Sequence, residues 1–491
     1  MAISRSDAAA LVPAAGLFID GAWLPEATLE PVDHIDPTTG LALAPYLPAG
    51  AAEIDLAVAA ARRARPGWGA LAPAQRRGAL LRIAESIEAD AERLAGIMAL
   101  EMGQPVRAAT AGALHAAEWF RYFAGWADKI EGTVVPVNPG AVLDYVTLEP
   151  YGVVGAIIPW NGPLIALALK VAPALAAGNS VVLKPSELAP FSSLRFAQLC
   201  AEAGLPDGVV NVVPGEAEAG AALSAHPAVD KLSFTGSGAT ARAVAVAAAE
   251  HHTPVVLELG GKSAAIVFED ADAQVAGKLA AILGVQQNSG QGCFLPTRLL
   301  VHRSLYAEVL DRVLTTVKGF ALGDPFDPTT GMGPVAGAAA QTRILETIAR
   351  ARDDGDGALL VGGGAPGGPL APGSFVEPTV FGDVRPTSRL AQEEIFGPVL
   401  AVIPFDDEHE AVAIANSTRY GLAGYVWTHD LRRAHRVAAA LEAGYVSVNG
   451  MAGLAPGAPF GGWAGSGHGV EGGRWGLQEF LRLKNVHVVL G

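Results

Sequence analysis

The stretch Lys231–Gly261, KLSFTGSGATARAVAVAAAEHHTPVVLELGG, decides the fold. It opens on KLSFTGS, a short run with the residue types of a strand. TARAVAVAAAE then carries Ala and Val at helical spacing, and PVVLELGG returns to a β-branched run. Strand, helix and strand within about thirty residues make a βαβ unit, whose crossover sets the two strands parallel. The same alternation extends upstream through VVGAII, LIALALKVAPALAAG, SVVLKP, SSLRFAQLCAEAG, VVNVVPG and EAGAALSAH. A parallel sheet with helices on both faces follows.

A second alternating run starts near Gly277. It includes TRLLVH, YAEVLDRVLTTVKGF, ARDDGDGALLVGG, EPTVFGDV, PVLAVIPF, EHEAVAIANST, AGYVWTH and LRRAHRVAAALEAGYVSVNG, and it predicts a second α/β domain. Upstream, Phe18–Trp23 reads as a short hairpin, and helical spacing covers Ala51–Leu100 and Ala108–Trp126. Val134–Gly152 is β-branched and punctuated by Pro and Gly, which predicts a second hairpin. Gly362–Gly373, GGGAPGGPLAPG, reads as a mobile surface loop. The terminal LRLKNVHVVLG is a strand without a partner in sequence order, so its partner is expected in another domain or subunit.

A chain of 491 residues, half of them apolar, supports two or three cores. A net charge of −15 argues against a polyanionic partner, which needs clustered Lys and Arg. Two cysteines give neither a disulfide framework nor metal-ligand spacing, and a reducing cytoplasm fits them. The N-terminal stretch lacks the sustained apolar run of a signal peptide. Tyr151–Gly178 is apolar enough to raise a membrane span, but PWNGP interrupts it and Lys170 lies inside it.

Five short stretches carry candidate chemistry. Gly236–Ala241, GSGATA, fits G-x-G-x-x-A after a strand, the pattern that brings a backbone close to a pyrophosphate, or else forms an ordinary tight turn. On the first reading, Glu258 stands where a ribose-binding carboxylate is expected. Lys184 and Glu187 in VLKPSE either open a helix or hold a nucleotide ribose. Asn161 in PWNGP is a turn residue or an oxyanion donor. Glu258 in LELGGK is a carboxylate among leucines, either an ion-pair member or a general base with a raised pKa. Cys293 in QNSGQGCFLP sits beside glycines rather than branched apolar residues, which favours a nucleophile over a core filler.

Taken in order, these stretches resemble the aldehyde dehydrogenase superfamily, in its hydrolytic, NAD(P)-dependent branch. PWNGP, KPSE, FTGS, LELGGK, the N-x-G-Q-x-C of Asn288–Cys293, EEIFGPV at Glu393–Val399 and PFGG at Pro459–Gly462 carry the likeness. EMGQP at Glu101–Pro105 and AGWADKIEG at Ala124–Gly132 agree with it. The resemblance implies a Rossmann-like cofactor domain over 1–128 and 150–258, a catalytic α/β domain over 259–465, and a small β oligomerisation arm from 129–149 and 466–491. It implies Cys293 as nucleophile, Glu258 as general base, Asn161 with the Cys293 N–H as oxyanion hole, and Lys170 as a further catalytic residue. That removes Glu258 as a ribose ligand.

For the cofactor the resemblance implies Ile157, Pro159, Trp160, Lys184, Ser186, Glu187, Gly215, Gly220, Phe234, Gly236, Ser237, Leu259, Gly260, Glu394 and Phe396. For the substrate tunnel it implies His115, Trp119, Gly162, Ala166, Leu169, Gln287, Phe294, Leu454 and Phe460. No metal is implied. Glu187 favours NAD, with NADP as the alternative, because a carboxylate repels a 2′-phosphate. The tunnel set has no Lys or Arg, so an uncharged aliphatic or aromatic aldehyde is expected. The alternatives are a charged semialdehyde, a cofactor-independent thioesterase, or a catalytically silent member of the fold. A homodimer or homotetramer is implied. Two departures stand out: Ala241 replaces a usual Gly after FTGS, and Trp463–Ala464 follows PFGG where a Lys is usual.

Overall fold

The computed structural model describes residues 3–138, 140–451 and 453–490. Met1, Ala2, Pro139, Ala452 and Gly491 lie outside the described residues, although the N-terminal, hairpin and domain readings above span them. The βαβ reading around Lys231–Gly261 becomes an eight-stranded sheet. Its order is Ala22–Leu24, Leu17–Ile19, Val210–Val212, Ser180–Lys184, Val153–Ile157, Lys231–Thr235, Val255–Glu258 and Gly467–His468. The five strands from Val210–Val212 to Val255–Glu258 run parallel. The N-terminal hairpin closes one edge antiparallel, and Gly467–His468 closes the other.

Two apolar layers flank this sheet. One joins the helices Pro73–Ala89, Ala91–Met102, Val106–Ala124, Pro163–Ala177 and Pro190–Glu202; the other lies under Ala51–Ala70 and Gly238–Ala249. The interrupted apolar tract resolves into the strand Val153–Ile157, a turn, and the buried helix Pro163–Ala177. Pro163 at its first turn pre-sets the helical φ, and Gly178 in a left-handed conformation ends it. Among the described residues, no helix is long and apolar enough to cross a membrane.

The second sheet has seven strands in the order Ala358–Val361, Thr379–Gly382, Val399–Phe405, Arg298–His302, Ala264–Val267, Ala423–Trp427 and Tyr445–Val448. All neighbours are parallel except the first pair. This sheet begins before the alternating run read from Gly277 onward, within the 259–465 that the resemblance implies. Ala264–Val267 is a central strand that the reading passed over, because LELGGKSAAIVF is nearly continuous in its apolar character. The helix Ala338–Asp353 was also not separated from the polar run that ends it.

The chain therefore crosses from one sheet to the other through Leu259–Ser263, immediately after Glu258. Thr133–Val135, Val142–Pro150 and Leu481–Val489 form a separate three-stranded antiparallel sheet with Val142–Pro150 at its centre. The terminal strand thus finds its partner within the chain. Of the segment 466–491, only Leu481–Val489 joins this arm. Gly467–His468 belongs to the first sheet, and Leu477 and Phe480 belong to its core.

Candidate active site

Cys293 follows an unusual turn. The helix Ala273–Ala281 loosens into a π-turn at Ile282–Gln286, and then Asn288, Ser289 and Gly290 take left-handed conformations with φ of 48°, 52° and 71°. A left-handed turn costs an L-residue roughly 1–2 kcal/mol, so side chains must hold it. Asn288 Nδ2 donates to the carbonyls of Asn161, at 2.9 Å, and Gln291, at 3.0 Å. Ser289 Oγ donates to Gly333 O at 2.8 Å, and Gln291 Oε1 accepts from Ala336 N–H at 3.0 Å. A Cβ at Gly290 would sit 2.2 Å from the Gly397 carbonyl, so only glycine passes there.

This turn ties the thiol to Asn161. The Asn161 side chain, on the loop after Val153–Ile157, donates through Nδ2 to Gln291 O at 3.1 Å. Cys293 is half-buried, and burial together with the charges of Glu258 and Glu394 pushes its thiol well above the ordinary range. Tyr425 Oη donates to the Phe294 carbonyl at 2.7 Å and fixes the chain just beyond the cysteine.

Glu258 ends the strand Val255–Glu258, fully enclosed, and its Oε1 has no hydrogen-bond partner among the described residues. Burial, and then the charge of Glu471, drive its pKa well above the carboxylate range, against a smaller opposing pull from Lys170. Lys170, on the buried helix Pro163–Ala177, bonds Glu471 at 2.5 Å and Ser233 Oγ at 3.1 Å. Sequence reasoning missed Glu471. Its only signals were an acid set in the Gly-rich GVEGG and the need of a lone Lys in an apolar helix for a counter-charge.

The candidate cofactor residues gather at the carboxyl ends of the first sheet's parallel strands. Ile157 and Lys184 are register partners, as are Ile157 and Phe234. Pro159 and Trp160 follow on the next loop, half-buried. Lys184 Nζ lies 3.8 Å from Glu187 Oε2, which also accepts from Ser186 Oγ at 3.2 Å. Ser237 caps the helix Gly238–Ala249 and, with the helix's first three residues, is exposed. Gly236 is held over the Phe234 ring, where a Cβ would clash at 2.6 Å. Gly215 lies close to the Ala49 backbone, and Gly220, on the next helix, opens onto free space.

Across the crevice, Glu394 Oε1 accepts from Gly261 N–H at 3.0 Å, and a Cβ at Gly260 would meet Glu394 Oε2 at 2.0 Å. Leu259 N–H donates to Ser466 O at 3.0 Å. Phe396, at a φ of 56°, sets its ring edge-on to Trp160 with centroids 5.5 Å apart. An exposed helix N-terminus after the strand Lys231–Thr235, Lys184 and Glu187 after the strand Ser180–Lys184, and glycines at 236 and 260 where a side chain would clash fit an extended dinucleotide.

The candidate substrate residues form two contacting groups. His115 Nε2 lies 2.7 Å from the Leu454 carbonyl and 3.1 Å from Trp119 Nε1, although Trp119 itself is fully buried in the core. Ala166 and Leu169 line the same layer, one and two turns below Gly162. Phe294 and Phe460 meet edge-on at 5.9 Å, and Tyr445 meets Phe460 at 6.2 Å. The backbone of Phe460 bonds that of Glu471, joining this aromatic group to the buried charge cluster. Gln287 starts the turn that carries Asn288.

The sequence model of the aldehyde dehydrogenase family matches residues 23–486. The chain belongs to that family. This aldehyde dehydrogenase is 42% identical over 480 residues to a betaine aldehyde dehydrogenase of Cereibacter sphaeroides, covering 98% of both chains. It superposes on PnpE of Pseudomonas sp. WBC-3, solved in complex with nicotinamide adenine dinucleotide, with a TM-score of 0.95 at 44% identity, over 97% of this chain and 98% of that one. It also matches the indole-3-acetaldehyde dehydrogenase AldA of P. syringae, solved with NAD+ and IAA, with a TM-score of 0.96 at 40% identity, over 99% and 100%. At the two departures noted above, Ala241 packs in the core, and Ala464 is exposed in a left-handed conformation at a φ of 50°.

Proposed function

We propose that this enzyme oxidises an aldehyde to its carboxylic acid through a thioester on Cys293. The observation that carries the reading is the convergence of Cys293, Asn161 and an unpaired buried Glu258 where the two sheets meet. The Cys293 sulfur, as thiolate, bonds to the carbonyl carbon. The Asn161 amide and the Cys293 N–H hold the oxygen as negative charge develops on it. Hydride then leaves the tetrahedral carbon, and a thioester remains.

NAD, when bound, supplies the hydride acceptor. Lys184 and Glu187 would hold its adenosine ribose, the Gly236–Ser237 helix start its pyrophosphate, and Glu394 its second ribose. Glu187 favours NAD over NADP. Glu258 takes a proton from water, the resulting hydroxide attacks the thioester carbon, and the acid departs as sulfur regains its electron pair. A carboxylate with a raised pKa suits that base role. Burial and the nearby carboxylates of Glu258, Glu394 and Glu471 push the Cys293 thiol up, so a positive charge placed beside it favours the attacking form.

The substrate reading is an uncharged aliphatic or aromatic aldehyde, supported by the apolar and aromatic candidate set. A cationic aldehyde is the second reading, favoured by the aromatic group Phe294, Phe460 and Tyr445, whose faces attract ammonium groups, and by the betaine aldehyde dehydrogenase relative. The arm's exposed Val134, Leu483 and Val489 support a homodimer or homotetramer. A panel of aliphatic, aromatic, quaternary-ammonium and carboxylate-bearing aldehydes, read as NADH absorbance, tests these readings. Turnover confined to a carboxylate-bearing semialdehyde sinks the substrate reading. Full oxidising turnover by Cys293→Ala sinks the mechanism.

A further inference from the structure

Away from the crevice, Lys262, Ser263, Arg298, Thr418 and Tyr420 line a small pocket, with a cavity volume of about 20 Å³, at the amino ends of the second sheet's central strands. The Lys262 ammonium and the Ser263 hydroxyl are both enclosed and have no hydrogen-bond partner among the described residues. Lys262 is 2% exposed and Arg298 1% exposed, and neither forms an ion pair there. Three other buried cations are ion-paired: Lys170 with Glu471, Lys231 with Glu479, and Arg195 with Asp90 and Glu202.

Buried charges without a counter-charge are costly, so the missing partner needs an identity. Arg298 spends Nε, Nη1 and Nη2 on the carbonyls of Lys262, Ile414 and Ala415. Each Arg298 nitrogen is thus engaged at least once, whereas the Lys262 ammonium and the Ser263 hydroxyl have no acceptor among the described residues. The pocket's one carboxylate, Glu442, is exposed at its rim. Two donors and a second cation behind them, with Glu394 and Glu393 acting on Lys262 from a distance but forming no ion pair with it among the described residues, favour a negatively charged occupant.

We propose that this pocket is a binding site for a small inorganic anion of chloride size, held by Lys262 Nζ and Ser263 Oγ. Burial, and then the Arg298 charge, push Lys262 down to about 7 against a smaller upward pull from Glu394 and Glu393, and an anion beside it would act in the same upward direction. Burial raises the Glu394 carboxyl, and the Gly261 N–H and then Lys262 oppose that rise, which ties the pocket to the crevice through the Gly260–Ser263 crossing.

Thermal unfolding of the full chain in sodium chloride, matched in ionic strength with sodium gluconate, tests the site without using turnover. Expected is a saturable rise in Tm of about 2–4 °C with chloride but not with gluconate, which is too large to enter. Lys262→Met should abolish the difference, and Ser263→Ala should move the half-saturating chloride concentration up about tenfold. Crystals soaked in bromide should show an anomalous peak between Lys262 and Ser263. The proposal is overturned by identical chloride and gluconate curves, by an unchanged midpoint in Ser263→Ala, or by no bromide peak at these residues, which would leave only water there.

Discussion

Replacing Lys170 by Met asks whether the buried charge cluster governs Glu258. The Lys170 side chain is 0% exposed and that of Glu471 is 5% exposed, and they are in direct contact. Removing one member of such a pair leaves an uncompensated buried charge, which costs about 3–5 kcal/mol. Glu471 Oε2 already lacks a partner, so nothing nearby takes over the role of Lys170. Lys170→Met and Glu471→Gln should each lower the urea midpoint, while Lys170→Met/Glu471→Leu should recover most of the loss.

The catalytic effect has a separate sign. Lys170 pulls the Glu258 pKa down and Glu471 pushes it up. Losing Lys170 therefore moves the rising limb of the kcat–pH profile to higher pH, by roughly one unit for each 1.4 kcal/mol of lost interaction. The double variant cancels part of the shift, because both opposing charges are gone. The assay is kcat against pH, with unfolding midpoints measured on the same preparations. A folded Lys170→Met enzyme with an unshifted limb and an unshifted midpoint would refute the coupling.

Glu258→Gln should let one equivalent of NADH form and then stall, because the thioester persists; continued steady turnover would contradict the base role. Stability should respond as well. The folded-state pKa of Glu258 lies above its unfolded value, so wild type is penalised as pH rises from about 4.5 through that raised pKa. Glu258→Gln should then match wild type in acid and exceed it in unfolding midpoint at alkaline pH. Asn161→Ala should cost about 10²–10³ in kcat, checked by single-turnover kinetics, if its amide holds the oxyanion. Asn288→Ala, which frees the left-handed turn, should lower kcat by about tenfold or more while far-ultraviolet circular dichroism stays unchanged; equal loss of both signals would mark it as merely structural.

The alternating architecture was legible because most parallel strands are buried on both faces and read as short apolar runs between helices. The same uniformity hid Ala264–Val267, where two strands in different sheets are separated only by LGGKS. Cys293 and Glu258 stood out because each residue type contradicts its local surroundings, whereas Asn161 suits its turn and stood out only through the motif PWNGP. The proximity of the three did not stand out, since it depends on Asn288 reaching the Asn161 carbonyl across 127 positions. Glu471 was invisible for the same reason. Nothing adjacent to it announces Lys170, and the pairing exists only once the helix and the late segment are folded together.

That pairing spans 301 residues of chain. At ordinary synthesis rates of about 5–20 residues per second, a nascent chain carries the Lys170 ammonium for roughly 15–60 s before Glu471 emerges. The edge of the sheet beside Glu258 is left open over the same interval, until Gly467–His468 arrives to close it. A ribosome-bound chain halted before that point would hold the nucleophile and the base in unfinished surroundings. Competence to react with aldehydes is thereby deferred until the late segment has docked.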